Sequence, residues 1–210
     1  MLPYMAQAAL VIAVVVVDGT LIGAMPRHQG PTPPPPMAAD YFPDKWERFT
    51  FEGGRFSARF PGKPVELVEN PPSGVNAPSQ HIVEYKGLLT YRVSYVEFPV
   101  VLEQKAKIED LLQGSKSAMI RSETDPDSKV VAERYVEVGG YKALYIQLDR
   151  GQKTTLRILT IPVGKRLYIV SAAGRRGNAR EAEGADNVEK VARGFLDSLQ
   201  VTDVPETKPN

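Results

Sequence analysis

The residues best suited to catalysis or metal binding are few and widely separated in this sequence. The chain of 210 residues contains two histidines, His28 and His81, and no cysteine. Without cysteine it can form no disulfide, no iron–sulfur or cysteine-ligated zinc site and no thiol nucleophile. His81 lies near Glu84 in a run typical of a β-strand, but no Gly-x-Ser-x-Gly elbow or histidine pair accompanies it. We therefore interpret His81 as a strand-edge residue and predict no metal site.

The other candidates for acid–base or phosphate chemistry have simpler interpretations. Glu109-Asp110 and the neighbouring Ser115 and Lys116 fall within one predicted helix, where we expect these side chains to lie on the solvated surface. Gly164-Lys165 lacks the first glycine and the hydroxyl residue of a phosphate-binding loop. Because no nucleophile–base pair can be assembled, the sequence predicts a protein that is not an enzyme and holds no cofactor.

Basic residues flank both ends of the last predicted strand. Lys165 and Arg166 begin this strand, and three arginines follow its far end, about 30 Å away along an extended chain. These arginines are candidate contacts for anionic lipid or an acidic partner, but we favour the interpretation that they lie in a solvated loop. The net charge is +1 and no aromatic residues interleave with these arginines, so nucleic-acid binding is not predicted. The three arginines are Arg175, Arg176 and Arg180.

An apolar segment occupies the N-terminal region. From Met5 to Met25 the chain carries no basic residue and one acidic residue, Asp18. A helix of this length spans roughly 31 Å, which matches the hydrocarbon core of a bilayer. We predict a transmembrane anchor over residues 1–26, with Asp18 facing a partner helix or the membrane interface. The anchor residues include Met5, Leu10, Val14, Val17, Leu21 and Ile22.

A cleaved signal peptide is the alternative interpretation of the same segment. Its apolar region would be Ala8–Val17, and Ile22-Gly23-Ala24 would provide the small-residue cleavage site. Signal peptides begin with a basic region, and none precedes Ala8. We therefore favour a retained anchor.

The rest of the chain divides into a stalk, a folded domain and a tail. Four consecutive prolines within residues 27–44 favour polyproline II, which makes a semi-rigid stalk; a motif for a proline-binding module is the alternative. Residues 45–202 have the composition of a globular domain, and residues 203–210 form a polar tail.

The domain has strand-rich runs that are separated by helices. Amphipathic runs predict helices over 104–121 and Ala185–Leu199, with Ile108, Leu111, Leu112, Met119 and Ile120 on the apolar side of the first. This order predicts an α+β fold with an antiparallel sheet packed between helices. Alternating runs and turn residues predict strands at Trp46–Phe51, Arg55–Phe60, Val65–Glu69, His81–Tyr85, Thr90–Phe98, Val130–Val138, Tyr141–Asp149, Thr154–Ile161 and Arg166–Ala173.

Five motifs in this order resemble the PsbP-like domains of bacterial exported or membrane-anchored proteins. They are FSARFPGKP (56–64), YRVSYVEFP (91–99), GGYKALYIQL (139–148), KRLYIVSAAG (165–174) and FLDSLQV (195–201). The resemblance covers about residues 45–202 and implies an antiparallel sheet between helices. It implies no catalytic residues, and the N-terminal anchor departs from plant PsbP.

The resemblance and the anchor together set the functional expectation. PsbP proteins are accessory subunits on the lumenal side of a photosynthetic membrane complex, so we expect a non-catalytic accessory or scaffolding subunit of an integral membrane complex, with a photosynthetic complex as a specific guess. Arg27 alone would place the domain in the cytoplasm; the resemblance favours the periplasmic or extracytoplasmic side. The alternative is a free-standing cell-envelope module that binds a small ligand or peptide.

Overall fold

The structure is a computed structural model that describes residues 43–71, 77–87, 89–102, 107–123, 126–150, 154–175 and 182–202. The predicted anchor with Asp18, most of the stalk and the tail lie outside these residues. Within the described ranges, no helix combines the length and apolar character that crossing a membrane requires.

Ten strands and two α-helices follow a short 3-10 turn at Pro43–Lys45 in the described residues. The helices are α1 (Ile108–Ser122) and α2 (Ala182–Asp197). The strands are β1 (Glu47–Phe51), β2 (Phe56–Phe60), β3 (Val65–Glu69), β4 (Gln80–Lys86), β5 (Thr90–Glu97), β6 (Lys129–Val138), β7 (Tyr141–Arg150), β8 (Thr154–Val163), β9 (Arg166–Arg175) and β10 (Gln200–Val201).

All strand pairs are antiparallel, in two sheets. The large sheet has seven strands in the order β3-β4-β5-β9-β8-β7-β6, and the small sheet has the order β1-β2-β10. Strands β6 to β9 form a four-stranded meander within the large sheet. Strand β5 then pairs along its whole length with β9, which joins the β3–β5 hairpins to the meander.

Each face of the large sheet packs on a different layer. On one face, α2 and the small sheet enclose an aromatic core that contains Phe56, Tyr91, Tyr168 and Phe195. On the other face, α1 covers an aliphatic core of β5, β7, β8 and β9. Alternation along the strands supplies both cores, as β7 shows by placing Tyr145 in the first and Leu144 in the second.

Two turns depend on glycine. Gly139 and Gly140 join β6 to β7 with φ of 58° and 86°, the left-handed region that a two-residue hairpin turn requires. Gly54 lies in the β1–β2 turn, where a Cβ atom would be 2.5 Å from the Phe56 ring and 2.9 Å from the Tyr95 ring. The Tyr168 hydroxyl donates a 2.9 Å hydrogen bond to the Gly54 carbonyl and ties this turn to β9.

Helix α1 corrects two predictions. Ser115, expected on the surface, is buried, and Ile120, expected on the apolar side, is 41% exposed. The buried stripe of α1 is Leu112, Ser115, Ala118 and Met119. Small side chains at Ser115 and Ala118 let the helix backbone approach β7 and β8, so the packed face is centred on them instead of on Ile108 and Leu111.

Candidate functional site

Large apolar side chains that stay exposed are concentrated at the two edges of the large sheet. Of seven such side chains in the described part of the chain, only Ile120 lies on a helix. Exposed apolar groups that cluster at a sheet edge are typical of protein–protein contact sites. The other six are Val65 (59%), Leu67 (44%) and Val68 (58%) on β3, and Val130 (36%), Val131 (44%) and Tyr135 (44%) on β6.

Strand β3 is one of these edges. Its residues form a regular five-residue ladder with β4, from Val65 opposite Glu84 to Glu69 opposite Gln80. The register places Val65 and Leu67 on the α1 side of the sheet, and Glu66 and Val68 on the α2 side. Both faces of this edge strand therefore present apolar side chains to solvent.

Next to β3, an aromatic pair extends the surface on the α2 side. His81 lies opposite Val68 and stacks on Tyr95, with ring centroids 4.7 Å apart and planes at 6°. The Arg166 guanidinium lies 5.2 Å from the Tyr95 ring centroid and donates hydrogen bonds of 2.7 and 3.0 Å to Glu97. Burial raises the pKa of the Tyr95 hydroxyl, which Arg166 opposes in part. The prediction that His81 is a strand residue is confirmed.

A buried carboxylate lies behind β3. Glu84 is opposite Val65 and accepts hydrogen bonds from Arg92 at 2.7 and 3.1 Å, with Lys86 at 2.9 Å. Burial raises the pKa of Glu84, but the hydrogen bonds from Lys86 and Arg92 outweigh it and hold the pKa below its ordinary value. The charge of Glu84 is thus neutralised inside the domain and is not available to a partner.

Strand β6 is the opposite edge and has a different construction. Its pairing with β7 is interrupted by a bulge at Val131. Helix α1 binds its exposed face: Gln113 donates to the Tyr135 hydroxyl at 2.9 Å, and Lys116 donates to Glu133 at 2.6 Å. The Lys142 ammonium also lies 4.9 Å from the Tyr135 ring centroid. Most side chains of this edge therefore have partners within the domain.

Two buried arginines fasten the helices to the sheet. Arg150 of β7 donates a 2.7 Å hydrogen bond to Glu123 at the end of α1. Arg157 of β8 donates to Glu189 of α2 from two of its nitrogens, and Arg193 bonds the same carboxylate at 3.0 Å. Burial raises the pKa of Glu189, but the hydrogen bonds and charges of Arg157 and Arg193 outweigh this effect and hold the pKa below its ordinary value. These ion pairs connect the large sheet to α1 on one face and to α2 on the other.

Comparison with solved structures connects this architecture to a known fold. The chain is similar to the solution structure of cyanobacterial PsbP (CyanoP) from Synechocystis sp. PCC 6803, at 12% identity over 74% of this chain and 91% of that chain, with a TM-score of 0.50. The chain has a PsbP-like fold. At this identity the similarity concerns the fold alone.

Two other solved structures are similar at TM-scores below 0.5. The Saccharomyces cerevisiae Ran-binding protein Mog1p is 12% identical over 76% of this chain and 96% of its own, with a TM-score of 0.47. A Pseudomonas aeruginosa protein of unknown function is 12% identical over 79% and 99%, with a TM-score of 0.41. No protein-family model matches the sequence, and no curated protein matches it.

The PsbP-like domain accounts for only part of the predicted site residues. Arg175 is the last residue of β9, with its backbone opposite Thr154, and Arg166 begins the same strand at the other end. The predicted separation of the basic residues into two groups therefore holds for these two positions. Arg176, Arg180, Asp18 and the anchor residues lie outside the described residues.

The sequence predicted β3 as a strand but did not predict that its apolar side chains are exposed. The available signal was VELVE, a run between Pro64 and Pro71 with apolar residues at both odd and even positions. A strand that is apolar on both faces is usually buried on both, and this one is exposed. No group of three or more acidic or histidine side chains that could hold a metal occurs among the residues the structure describes.

Proposed function

We propose that this protein is a non-catalytic accessory subunit whose PsbP-like domain docks onto a larger membrane protein complex. The concentration of exposed apolar side chains on the edge strands supports this proposal. The two faces of the sheet are occupied by helices and by the small sheet, so the edges are the surfaces that can accept a further element.

The N-terminal sequence supports a membrane location for this docking. The apolar segment 1–26 is long enough to span a bilayer, and the stalk of residues 27–44 would hold the domain on the extracytoplasmic side. Tethering raises the effective concentration of the domain at the membrane to about millimolar, so a modest edge contact suffices for stable association. A photosynthetic complex is one candidate partner, because a PsbP protein shares the fold.

The charged groups of the domain are consistent with a binding role. Glu84 and Glu189 each bind an arginine within the domain, and the pKa of each carboxyl is lowered. A carboxylate held in an ion pair is a poor general base, because its proton affinity is lowered. These groups therefore support stability more readily than catalysis.

The test is recovery of the full chain from its native membranes in mild detergent, with mass spectrometry of the proteins that co-purify and the intact mass of the chain. We expect a fixed ratio to an integral membrane complex and a mass that includes residues 1–26. Asp18→Asn should reduce recovery if Asp18 contacts a partner helix, whereas Asp40→Asn in the stalk is the matched control. Recovery of the chain alone, or cleaved near Ala24, would overturn the proposal and favour the free-standing binding module.

A further inference from the structure

The structure assigns β3 as the docking strand, and its occupant is an extended segment of a partner protein that carries basic residues among apolar ones. This inference rests on the proposed function that the domain binds a partner, and it names the surface and the chemistry of the contact. Three properties of β3 carry it: its backbone, its side chains and its charge.

The backbone of β3 is a short and well-delimited edge. Among the described residues β3 pairs with β4 alone, so alternate residues direct their N–H and C=O groups away from the sheet. Pro64 precedes the strand and Pro71 follows two residues after it. Proline cannot donate to a ladder, so these two residues limit an added strand to the window between them.

The side chains of β3 offer apolar contacts on both faces of an added strand. Val65 and Leu67 project on the α1 side, and Val68 projects on the α2 side beside His81. In β-augmentation the backbone supplies affinity and the alternating side chains supply specificity. Apolar residues opposite Leu67 and Val68 would remove both from solvent.

The charge of β3 sets the chemistry of its occupant. The strand contains Glu66 and Glu69 and no basic residue. Glu66 is exposed and has no ion pair with any residue that the structure describes. Opposite charges across a strand pair are favourable, so the occupant should place Lys or Arg opposite Glu66, with apolar residues opposite Leu67 and Val68.

The same charges disfavour a second copy of this chain as the occupant. In an antiparallel pairing centred on Leu67, the Glu66 residues of the two copies become diagonal neighbours on one face. Four carboxylates would then share the new ladder without a cation on either strand. Like charges at so short a separation are destabilising. A basic segment of a partner protein therefore fits β3 better than a second copy of this chain does.

The test is binding of a fluorescent peptide to the full chain in neutral detergent. The peptide has the central sequence Thr-Val-Val-Lys-Val, which places its lysine opposite Glu66 in antiparallel pairing. A matched peptide carries glutamate in place of the lysine. Because one ion pair replaces one like-charge pair, the lysine peptide should bind with an affinity about fivefold higher than the glutamate peptide.

Variants locate the contact. Leu67→Lys should weaken binding about tenfold, and Val131→Lys, at an equally exposed position on the other edge, should leave it unchanged. Glu66→Lys should reverse the peptide preference, a gain that a misfolded variant could not show. Equal binding of both peptides would overturn the inference, and so would an equal loss of peptide affinity in Leu67→Lys and Val131→Lys. The inference would also fail if the chain formed a dimer that Leu67→Lys dissociates without changing peptide binding.

The two proposals fail in different ways. If the full chain is recovered alone from membranes and still discriminates the peptides, the accessory-subunit proposal fails and the assignment of β3 stands. If the full chain co-purifies with a complex and Leu67→Lys does not reduce that recovery, β3 is not the docking strand although the subunit proposal stands.

Discussion

The two edges of the large sheet solve the same physical problem in different ways. An edge strand exposes unpaired backbone groups, which invite another strand to add. Strand β6 is interrupted by the bulge at Val131, and α1 side chains bind its Glu133 and Tyr135. Strand β3 has a regular ladder without a bulge and three apolar side chains that are more than 40% exposed.

Exposure alone therefore does not identify a docking surface. Leu67 and Tyr135 are both 44% exposed, but only Tyr135 has a hydrogen bond and a cation within reach in the same domain. A side chain already held by its own domain gains little from a partner, whereas a side chain exposed on a regular edge gains the most. Four predictions follow this contrast, ordered from the largest expected effect.

The largest loss of stability is expected for a change in the buried ion pair between Glu84 of β4 and Arg92 of β5, next to β3. Arg92→Met removes the two arginine hydrogen bonds to Glu84 and leaves this buried carboxylate with Lys86 as its remaining cation among the described residues. Breaking a buried pair in this way should lower the free energy of unfolding by about 3 kcal/mol, measured by urea denaturation. Hydrogen exchange should show lost protection in β3 and β4 before β6.

The pH dependence of this variant gives a second readout. The pKa of Glu84 is below its ordinary value of 4.5, so its contribution to stability is present above that pH and is lost as pH falls through the folded-state pKa. Arg92→Met should therefore flatten the acid limb of the stability curve. The matched control is Arg134→Met, an exposed arginine of β6 over the Tyr145 ring, with a loss of at most about 1 kcal/mol. Equal losses for both variants would mean that the two edges are supported alike.

The second prediction compares the two equally exposed side chains directly. Tyr135→Ala should lower the free energy of unfolding by about 1.5 kcal/mol, because it removes the Gln113 hydrogen bond and the Lys142 contact. Leu67→Ala should cost about 0.5 kcal/mol, since its side chain projects largely into solvent. In the peptide assay the order of the two variants should reverse, and Leu67→Ala should bind the lysine peptide more weakly than Tyr135→Ala does. A larger stability loss at Leu67 would contradict the contrast between the edges.

Local patterns in the sequence predicted most of the elements. The strand Val65–Glu69 was predicted with its observed bounds, and the alternating run Tyr141–Asp149 was predicted as a strand that the structure shows as β7. Gly139 and Gly140 form the hairpin turn before β7, which needs two residues with positive φ. Such features depend on neighbours in sequence, which a single chain displays.

Long-range pairing was not predictable in the same way. Strands β5 and β9 are separated by about 70 residues, and nothing in either run marks the other as its partner. Strand β10 has only two residues, and Thr202 donates to the Arg55 carbonyl, a contact that no local pattern signals. The position of β3 at the sheet edge follows from this same pairing order. The run was therefore predicted as a strand, but its exposure at an edge was not predicted.

The third prediction concerns local opening of the two edges. Strand β3 has five residues and one neighbouring strand, whereas β6 has ten residues and is bound by α1. Amides of β3 should therefore exchange with an opening free energy about 1 kcal/mol below those of β6, measured by native-state hydrogen exchange. The lysine peptide should slow exchange in β3 and leave β6 unchanged. Slowing at both edges would indicate general stabilisation instead of a strand-specific contact.

The smallest effect separates the glutamates of the two edges. Glu133 on β6 accepts hydrogen bonds from Lys116 and Gln113. Both bonds lower the pKa of Glu133, and the bond from Lys116 has the larger effect. Glu133→Gln should reduce the free energy of unfolding by about 0.3 kcal/mol, because the pair is partly exposed and screened by salt. The difference from the unsubstituted chain should be present above pH 4.5 and should vanish as pH falls through the folded-state pKa.

Glu66→Gln on β3 is the matched control for this change. Because Glu66 has no ion pair with any described residue, its neutralisation should leave stability unchanged and should weaken only the lysine peptide. Urea denaturation at several salt concentrations would compare the two variants. If Glu66→Gln destabilises the domain as much as Glu133→Gln does, the β3 carboxylate already interacts within the domain, and the charge that selects a basic partner is absent.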